Sequence, residues 1–333
     1  ILSTIFISCK DTDNSVFGDD FDFPALTDAN TIRCTVNVTG DWRQLNIVAD
    51  GGRMVIDWGN GRMQKVEDPS SMAGGVTYRY GNKGSYNVRI WAEELQLIDI
   101  SGLLISISDL HLGNMPRMKS LVLNSITDTR ELNLNTFCPN VESINIGSFA
   151  DLEHLEVEHC SRLRNIQIYS NPKLTSMELG NHPEVEELYC SYNGFSSFSL
   201  KGNALLISGC AFQSVDDVLE CCPSLNELSC SGNRLTELDL TKHLSIRELH
   251  CDHNRLTRLL VPEGQYFGHL YCHSNQLGEA ALKTLFVYLG QVPKPTPEYP
   301  RPPQCRISYS DNPGNKESLK EILKEKNWIV DEK

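Results

Sequence analysis

Histidine, aspartate and tyrosine side chains crowd one short stretch near the C-terminal end of the sequence. This stretch contains His250, Asp252, Tyr271 and His273. Imidazole and carboxylate groups are ligands that divalent transition metals accept. His250, Asp252 and His273 could therefore reach one metal ion if the fold places them side by side. Several of the nine histidines can also lie near one another by chance, and we assign no metal site and no cofactor from the sequence.

Local motifs that indicate catalysis are absent from the sequence. It has no phosphate-binding lysine loop, no G-x-G-x-x-G, no G-x-S-x-G and no H-E-x-x-H. His154 and His159 flank the run Leu-Glu-Val-Glu, which is not a metalloprotease spacing. We assign no catalytic residue and expect a protein that is not an enzyme, although catalytic side chains assembled from distant segments would leave no such motif.

The charge balance of the chain excludes one class of partner. Thirty Lys and Arg residues stand against 43 Asp and Glu residues, so the 333-residue chain carries a formal charge of −13. Such a chain repels phosphate backbones, and we expect no nucleic-acid partner. Hydrophobic residues make up 40% of the sequence, which is enough for a packed core.

A repeat of about twenty residues must position the side chains named above. Four segments share the pattern L-x-x-L-x-C-x-x-N, and they are 185–193, 225–233, 246–254 and 267–275. Weaker copies begin at Leu95, Met118, Val141, Leu163, Leu205 and Gln304. The sequence thus predicts ten turns between about residues 95 and 312.

This pattern is the leucine-rich repeat signature, and the chain resembles proteins of that class. The resemblance implies an α/β right-handed solenoid over 94–333, a strand-rich horseshoe with few helices and a C-terminal helical cap. Positions 4 and 6 of each turn point inward on a short strand. The Asn at position 9 can bond backbone groups at the bend. Neighbouring turns must supply the core, because one turn cannot bury its own apolar face.

Cysteines at position 6 are predicted to be buried and reduced. They are Cys190, Cys210, Cys230, Cys251 and Cys272. Parallel strands in register hold such side chains slightly too far apart, and with the wrong direction, for a disulfide. We expect them to act as small hydrophobic side chains.

Positions 3, 5 and 7 point away from the core and form what we call the concave face, with position 8 at its rim. The first turns present small polar groups such as Ser120, Asn145 and Asn165. The candidate ligand-binding residues are Tyr169, Tyr189, Tyr192, Phe212, His250, Asp252, Tyr271 and His273. Exposed aromatic residues anchor protein interfaces, and they also stack on sugar rings. Tall side chains can equally serve only to cover the sheet.

The last step of the repeat is long and contains an insertion. Residues 278–289 have helical spacing, with Leu282, Leu285, Phe286 and Leu289 on one face. A proline-rich loop over 293–303, a strand over 306–310 and a closing helix over 317–326 follow. This ending resembles the C-terminus of surface leucine-rich repeat proteins of Bacteroides-type bacteria.

Residues 24–93 have a different pattern, in which apolar and polar residues alternate as in half-buried strands. Trp58-Gly-Asn-Gly61 supplies a turn between strands. Together with Tyr80-Gly-Asn-Lys-Gly-Ser-Tyr-Asn-Val88, it resembles the PKD module. The resemblance implies a small immunoglobulin-like β-sandwich. Asn60 departs from that family, which usually has Asp there.

The first residues predict export. Residues 1–8 are apolar or small, and we interpret them as the remnant of a signal peptide. Phe6-Ile-Ser-Cys9 resembles a bacterial lipoprotein box with Cys9 as the lipidated residue, and the acidic residues to position 23 resemble a surface tether. An ordinary N-terminal strand is the alternative.

These features together favour a binding protein. We expect a lipid-anchored protein on the outer face of a bacterial outer membrane, whose concave face binds a protein ligand. The alternative is a glycan-binding surface lipoprotein associated with polysaccharide capture. The concave face mixes aromatic residues with Glu187, Glu227 and Glu248, which favours a protein ligand over a sugar.

Overall fold

A computed structural model describes residues 31–40, 43–72, 74–175, 177, 182, 184–185, 187–195, 225–296 and 302–331. Cys9, Cys210, Phe212 and the repeat predicted at Leu205 lie outside these described residues. No helix in the described ranges is both long and apolar enough to cross a bilayer.

The described residues form 21 strands, three helices and a short 3-10 turn at Pro69–Ser71. The strands are β1 (Thr31–Val38), β2 (Arg43–Asp50), β3 (Met54–Asp57), β4 (Met63–Val66), β5 (Val76–Tyr80), β6 (Gly84–Ala92), β7 (Leu97–Leu103), β8 (Ser106–Leu112), β9 (Ser120–Asn124), β10 (Glu131–Asn133), β11 (Ser143–Gly147), β12 (His154–Glu156), β13 (Asn165–Tyr169), β14 (Glu187–Tyr189), β15 (Glu227–Ser229), β16 (Glu237–Asp239), β17 (Glu248–His250), β18 (Arg258–Leu260), β19 (His269–Tyr271), β20 (Arg306–Ser308) and β21 (Ile329–Val330). The helices are α1 (Leu134–Phe137), α2 (Glu279–Tyr288) and α3 (Glu317–Glu325).

One long sheet runs through the molecule in the order β21-β20-β19-β17-β15-β14-β13-β11-β9-β7-β2-β5. From β7 to β21 its strands are parallel, as a solenoid requires. Position 4 of each turn stacks in register and is buried: Leu121, Ile144, Ile166, Leu188, Leu228, Leu249, Leu270 and Ile307. The prediction of a strand-rich solenoid with few helices is therefore confirmed. The right-handed winding of the solenoid and its horseshoe curvature stay predictions.

The strand pairing passes from the turn that begins at Val185 to the turn that begins at Leu225. β14 pairs directly with β15, with Leu188 opposite Leu228. The copy expected at Leu205 lies outside the described residues, so the number of ten turns stays a prediction. That copy lacks the position-9 asparagine, with Gln213 in its place.

The asparagines at position 9 form the predicted ladder. Asn254 Nδ2 donates to the carbonyls of Cys230 at 3.0 Å and Cys251 at 3.1 Å. Its Oδ1 accepts from the amide of Leu235 at 3.0 Å. Asn233, Asn275 and Asn312 make the same set of bonds. Each asparagine therefore closes its own bend and ties it to the preceding turn.

The cysteines at position 6 are buried as predicted. Cys190, Cys230, Cys251 and Cys272 are free thiols with exposures of 2% or less. Burial raises the pKa of Cys230 and Cys272 to about 12. The thiols are therefore neutral side chains that pack in the core at ordinary pH.

The C-terminal end agrees with the prediction. In α2, Leu282, Leu285 and Phe286 are buried. Helix α3 packs against α2, and Trp328 Nε1 donates to the carbonyl of Gly290 at 2.9 Å. These elements cover the last turn and end the sheet at β21.

The N-terminal strands are continuous with the solenoid. β2, β5 and β7 belong to the long sheet, and β8 joins β4, β3, β6 and β1 in an antiparallel sheet of order β4-β3-β6-β1-β8. β7 pairs antiparallel with β2 on one side and parallel with β9 on the other. The domain boundary predicted at 93/94 therefore falls just before a shared strand, and the immunoglobulin-like identity of 24–93 stays a prediction.

Aromatic rings pack around the predicted turn between β3 and β4. Trp58 is buried, and its ring stacks on Tyr78 with 4.8 Å between centroids. Gly59 follows with φ of +75°, and a Cβ there would lie 2.6 Å from the backbone of Asn87. The turn thus requires glycine for conformation and for space.

Candidate functional site

The concave face carries rows of side chains that run across the parallel strands, and the strand register defines two of them. In position 3 the row is Asn165, Glu187, Glu227, Glu248, His269 and Arg306. In position 5 it is Gln167, Tyr189, Ser229, His250, Tyr271 and Ser308. Neighbouring strands of a sheet lie about 4.8 Å apart, so consecutive members of a row stand next to each other.

Tyr169 is part of the sheet's own packing. Its hydroxyl donates to Asn124 Oδ1 at 2.7 Å, across the intervening strand β11. Gly147 lies between them, and a Cβ there would lie 2.4 Å from the Tyr169 ring. Burial raises the pKa of the Tyr169 hydroxyl. Tyr169 therefore lies flat over the neighbouring strand, where it contacts protein atoms along much of its length.

Tyr189 lies beside a row of three carboxylates, those of Glu187, Glu227 and Glu248 in position 3. The pKa of Tyr189 is raised, first by burial and then by the hydrogen bond with Glu227, with further contributions from the charges of Glu187 and Glu248. The hydroxyl therefore stays protonated and donates a hydrogen bond to Glu227. This pairing holds an aromatic ring and a carboxylate side by side on adjacent strands.

Tyr192 is the most exposed of the predicted tyrosines, at 59%. It occupies position 8 with φ of +58° and packs over Gly232, where a Cβ would lie 2.4 Å from its ring. The strand beside Tyr189 is β15, which contributes Ser229. Phe212 lies outside the described residues, so the patch of four aromatic residues stays a prediction.

The left-handed backbone at position 8 recurs along the solenoid. Positive φ values occur at Ser125, Ser148, Ser170, Tyr192, Gly232, His253, Ser274 and Asp311. Tyrosine and histidine adopt this conformation at a cost that glycine avoids. The fold of the repeat therefore imposes the left-handed backbone on Tyr192 and His253.

A second aromatic group occupies the far end of the face. The His250 and Tyr271 rings have centroids 4.8 Å apart, and His269 stacks on Tyr271 at 5.8 Å. His269 Nδ1 lies 2.8 Å from Glu248 Oε2. His250 therefore packs against Tyr271. The expectation that His250 could join Asp252 and His273 around a metal ion was wrong, because the ligand atoms that converge with theirs belong to His253.

Asp252 has partners that the sequence argument missed. Ser231 Oγ donates to its Oδ1 at 2.7 Å, and His253 Nδ1 lies 2.8 Å from its Oδ2. His273 Nε2 lies 3.7 Å from the same oxygen. Burial pushes the pKa of Asp252 upward, but these bonds and the nearby His273 outweigh it, so the net pKa lies below its usual value. The feature of the sequence that could have indicated His253 is its position directly after Asp252.

No protein-family model and no curated protein matches the chain. Among solved structures, the fold is similar to that of an internalin from Listeria monocytogenes, with 11% sequence identity and a TM-score of 0.38. The similarity covers 65% of this chain and 61% of the internalin chain, which is less than two thirds of that protein's length. A likeness at this level carries no argument about function.

Proposed function

We propose that the protein is a non-catalytic module that binds another protein on its concave face. The observation that supports this most directly is the row of Glu187, Glu227 and Glu248 on consecutive strands, with Tyr189 hydrogen-bonded to the middle one. Aromatic residues are enriched in protein interfaces and supply much of their binding energy, and the carboxylates beside this ring add electrostatic specificity.

The carboxylate row defines the chemistry of the partner. Like charges directly opposite one another weaken a sheet, and here three lie in register. An arginine or lysine from a partner would relieve that repulsion. Arginine fits best, because its planar guanidinium can bond a carboxylate and stack on a tyrosine at once. The net charge of −13 adds long-range attraction for a basic partner.

A glycan ligand is the second candidate. The group of Tyr271, His250 and His269 favours it, since both histidine rings lie within 6 Å of the Tyr271 ring and a sugar can pack on such a cluster. The glycan function would place recognition at the C-terminal end of the concave face, away from Tyr189.

Attachment to the cell surface is part of the same proposal. We propose that Cys9 is lipidated and holds the protein on the outer face of a bacterial outer membrane. Two or more acyl chains hold a protein firmly where one does not. Full-length protein should then partition with membranes in high salt, whereas a Cys9→Ala form should not. Equal partitioning of both forms would remove the anchor.

The binding proposal can be tested with a phage-displayed peptide library. Panning should enrich basic peptides, and calorimetry should show that Tyr189→Ala weakens the selected peptide by about 2 kcal/mol, roughly thirtyfold in Kd. Glu227→Gln should weaken it as well. Glu237→Gln is the matched control, because Glu237 begins an equally short strand in the separate β16–β18 sheet.

Two outcomes would contradict the proposal. Selected peptides that bind Tyr189→Ala as well as the unchanged protein would move the site off the carboxylate row. Saturable binding on a glycan array that is lost in Tyr271→Ala would favour the glycan function.

A further inference from the structure

Three potential metal ligands from two adjacent turns meet at the end of the concave face. Asp252 and His253 directly follow β17, and His273 follows β19. One ligand atom from each lies within 4.8 Å of the other two. Asp252 and His273 are buried, whereas the His253 side chain is 55% exposed.

We propose that Asp252, His253 and His273 form a binding site for one divalent transition-metal ion of the zinc class. Two imidazole nitrogens and one carboxylate oxygen are a ligand set that such ions accept. Three protein ligands leave at least one coordination position open. That position would hold water or a donor atom from a ligand.

The distances need only small adjustments to fit an ion. Asp252 Oδ2 lies 2.8 Å from His253 Nδ1 and 3.7 Å from His273 Nε2. Bonds of about 2.0–2.2 Å to a tetrahedral ion place ligand atoms roughly 3.3 Å apart. The Asp252–His253 pair must widen and the Asp252–His273 pair must close, each by about half an ångström. The exposed ring of His253 can supply the widening, and a small shift of the Asp252 carboxylate toward His273 supplies the closing.

The surroundings hold the ligands in place. Ser231 Oγ donates to Asp252 Oδ1, which leaves Oδ2 directed at the two histidines. A hydrogen-bonded outer partner of this kind orients a carboxylate ligand. The backbone adds a second constraint, because the amide of His253 donates to the carbonyl of His273 at 3.1 Å. The two turns that carry the ligands are thus fixed to each other.

The repeat determines where His253 lies. Its φ is +53°, and the adjacent turns have the same left-handed backbone at Gly232 and Ser274. This conformation holds the imidazole at the rim of the concave face, directly beside the Asp252 carboxylate.

The metal proposal does not depend on the protein-binding function, because the isolated chain contains all three ligands. Full-length protein without an affinity tag, freed of metal with a chelator, is titrated with Zn²⁺ in a calorimeter. Co²⁺ serves as a second probe, since its visible absorption reports coordination by nitrogen and oxygen. We expect one ion per chain for both metals.

Variants separate this site from other histidine pairs. His253→Ala should weaken Zn²⁺ binding at least tenfold, because even the loss of an outer-shell partner costs about 10–100-fold. His269→Ala is the matched control, since His269 also lies 2.8 Å from a carboxylate but has no third ligand among the residues that the structure describes. It should leave the affinity unchanged. Asp252→Asn should lose binding while Ser231→Ala only weakens it.

The results that would overturn the proposal are equally specific. One is the absence of any binding heat or Co²⁺ absorption with the folded protein. The other is binding that His253→Ala retains, or that His269→Ala loses to the same extent. His253 is exposed and its replacement leaves the core intact, so circular dichroism should confirm that the variant folds.

Discussion

The first turns of the parallel sheet and the last ones differ in both their inner and outer residues. Strands β9, β11 and β13 span five residues and carry Leu123, Ile146 and Ile168 at position 6. Strands β14, β15, β17 and β19 span three residues, and a cysteine occupies position 6. Large aliphatic side chains favour extended backbone, so the regular strand continues through them. The small cysteines coincide with an earlier bend.

The concave faces of the first and the later turns differ as well. In the first turns, neutral groups satisfy one another, as where Asn145 Nδ2 donates to Gln167 Oε1 at 2.8 Å. In the later turns, Glu187, Glu227 and Glu248 stand in one row. Neutral side chains that hydrogen-bond to one another need no ligand, whereas a ligand of opposite charge stabilises a row of like charges. The comparison teaches that the outer side chains of the first turns satisfy one another, whereas those of the later turns leave like charges side by side, where the proposed partner would bind.

Removal of a position-4 leucine should have the largest effect on stability. Leu249→Ala should lower the free energy of unfolding by roughly 2–5 kcal/mol, because a fully buried leucine leaves a cavity. Chemical denaturation measures the change. Glu248→Ala, on the same strand but on the outer face, is the control. Equal losses in both variants would mean that the inner and outer faces have been exchanged.

Removal of a ladder asparagine should come next. Asn254→Ala leaves two carbonyls and one amide without their partner, at a cost of about 1–3 kcal/mol for such buried groups. Urea unfolding measures it, with the exposed Asn114→Ala as control. The first turns have Ile126 and Phe149 at position 9 instead. A loss below about 0.5 kcal/mol for Asn254→Ala would show that the ladder is dispensable.

The cysteine-rich half should be sensitive to alkaline pH. The pKa of Cys230 is raised from 9.0 to about 12 by burial and by Asp252. A raised pKa gives stability that is complete below pH 9 and is lost as the pH rises toward 12. The loss is about 1.4 kcal/mol per pH unit for one thiol. Cys230→Ala should flatten the pH dependence by that slope.

Ile146→Ala is the matched control for the cysteine experiment. It removes a position-6 side chain from the first half without removing a thiol. Urea unfolding at several pH values should show a uniform loss for Ile146→Ala and an unchanged slope. A steeper or flatter slope in that variant would assign the alkaline loss to packing.

The smallest effect should be a gain. Glu187→Gln should stabilise the protein by about 0.2–1 kcal/mol, because it relieves like charges on adjacent strands, and the gain should shrink at high salt. Glu237→Gln should give no gain, since Glu237 lies 3.6 Å from Arg258. Thermal unfolding at two salt concentrations measures both. A loss of stability in Glu187→Gln would mean that the row is not repulsive.

Local patterns predicted most of what repeats within one turn. The inward leucines, the buried cysteines and the bonds of the position-9 asparagines all follow from spacing inside a nine-residue segment. The helix with Leu282 and Leu285 on its buried face follows from the period of a helix. These features depend on neighbours in sequence, and for that reason the residues alone indicate them.

The candidate site was predicted only in part. Tyr189, Tyr271 and the glutamate row lie on the concave face, as expected. Tyr169 was expected to project, and it lies across β11 because Gly147 leaves room for its ring. The histidine that joins Asp252 is His253, since position 8 adopts a left-handed backbone that no spacing reveals.

The sequence by itself determined that this chain stacks parallel strands with a leucine core and an asparagine ladder. Only the tertiary structure decided which turns are neighbours. β14 pairs with β15 across a gap of almost forty residues, and β7 is shared between N-terminal strands and the solenoid. The physical reason is that a strand's edge can bond any strand of matching register, so the choice of partner depends on the free energy of the whole sheet.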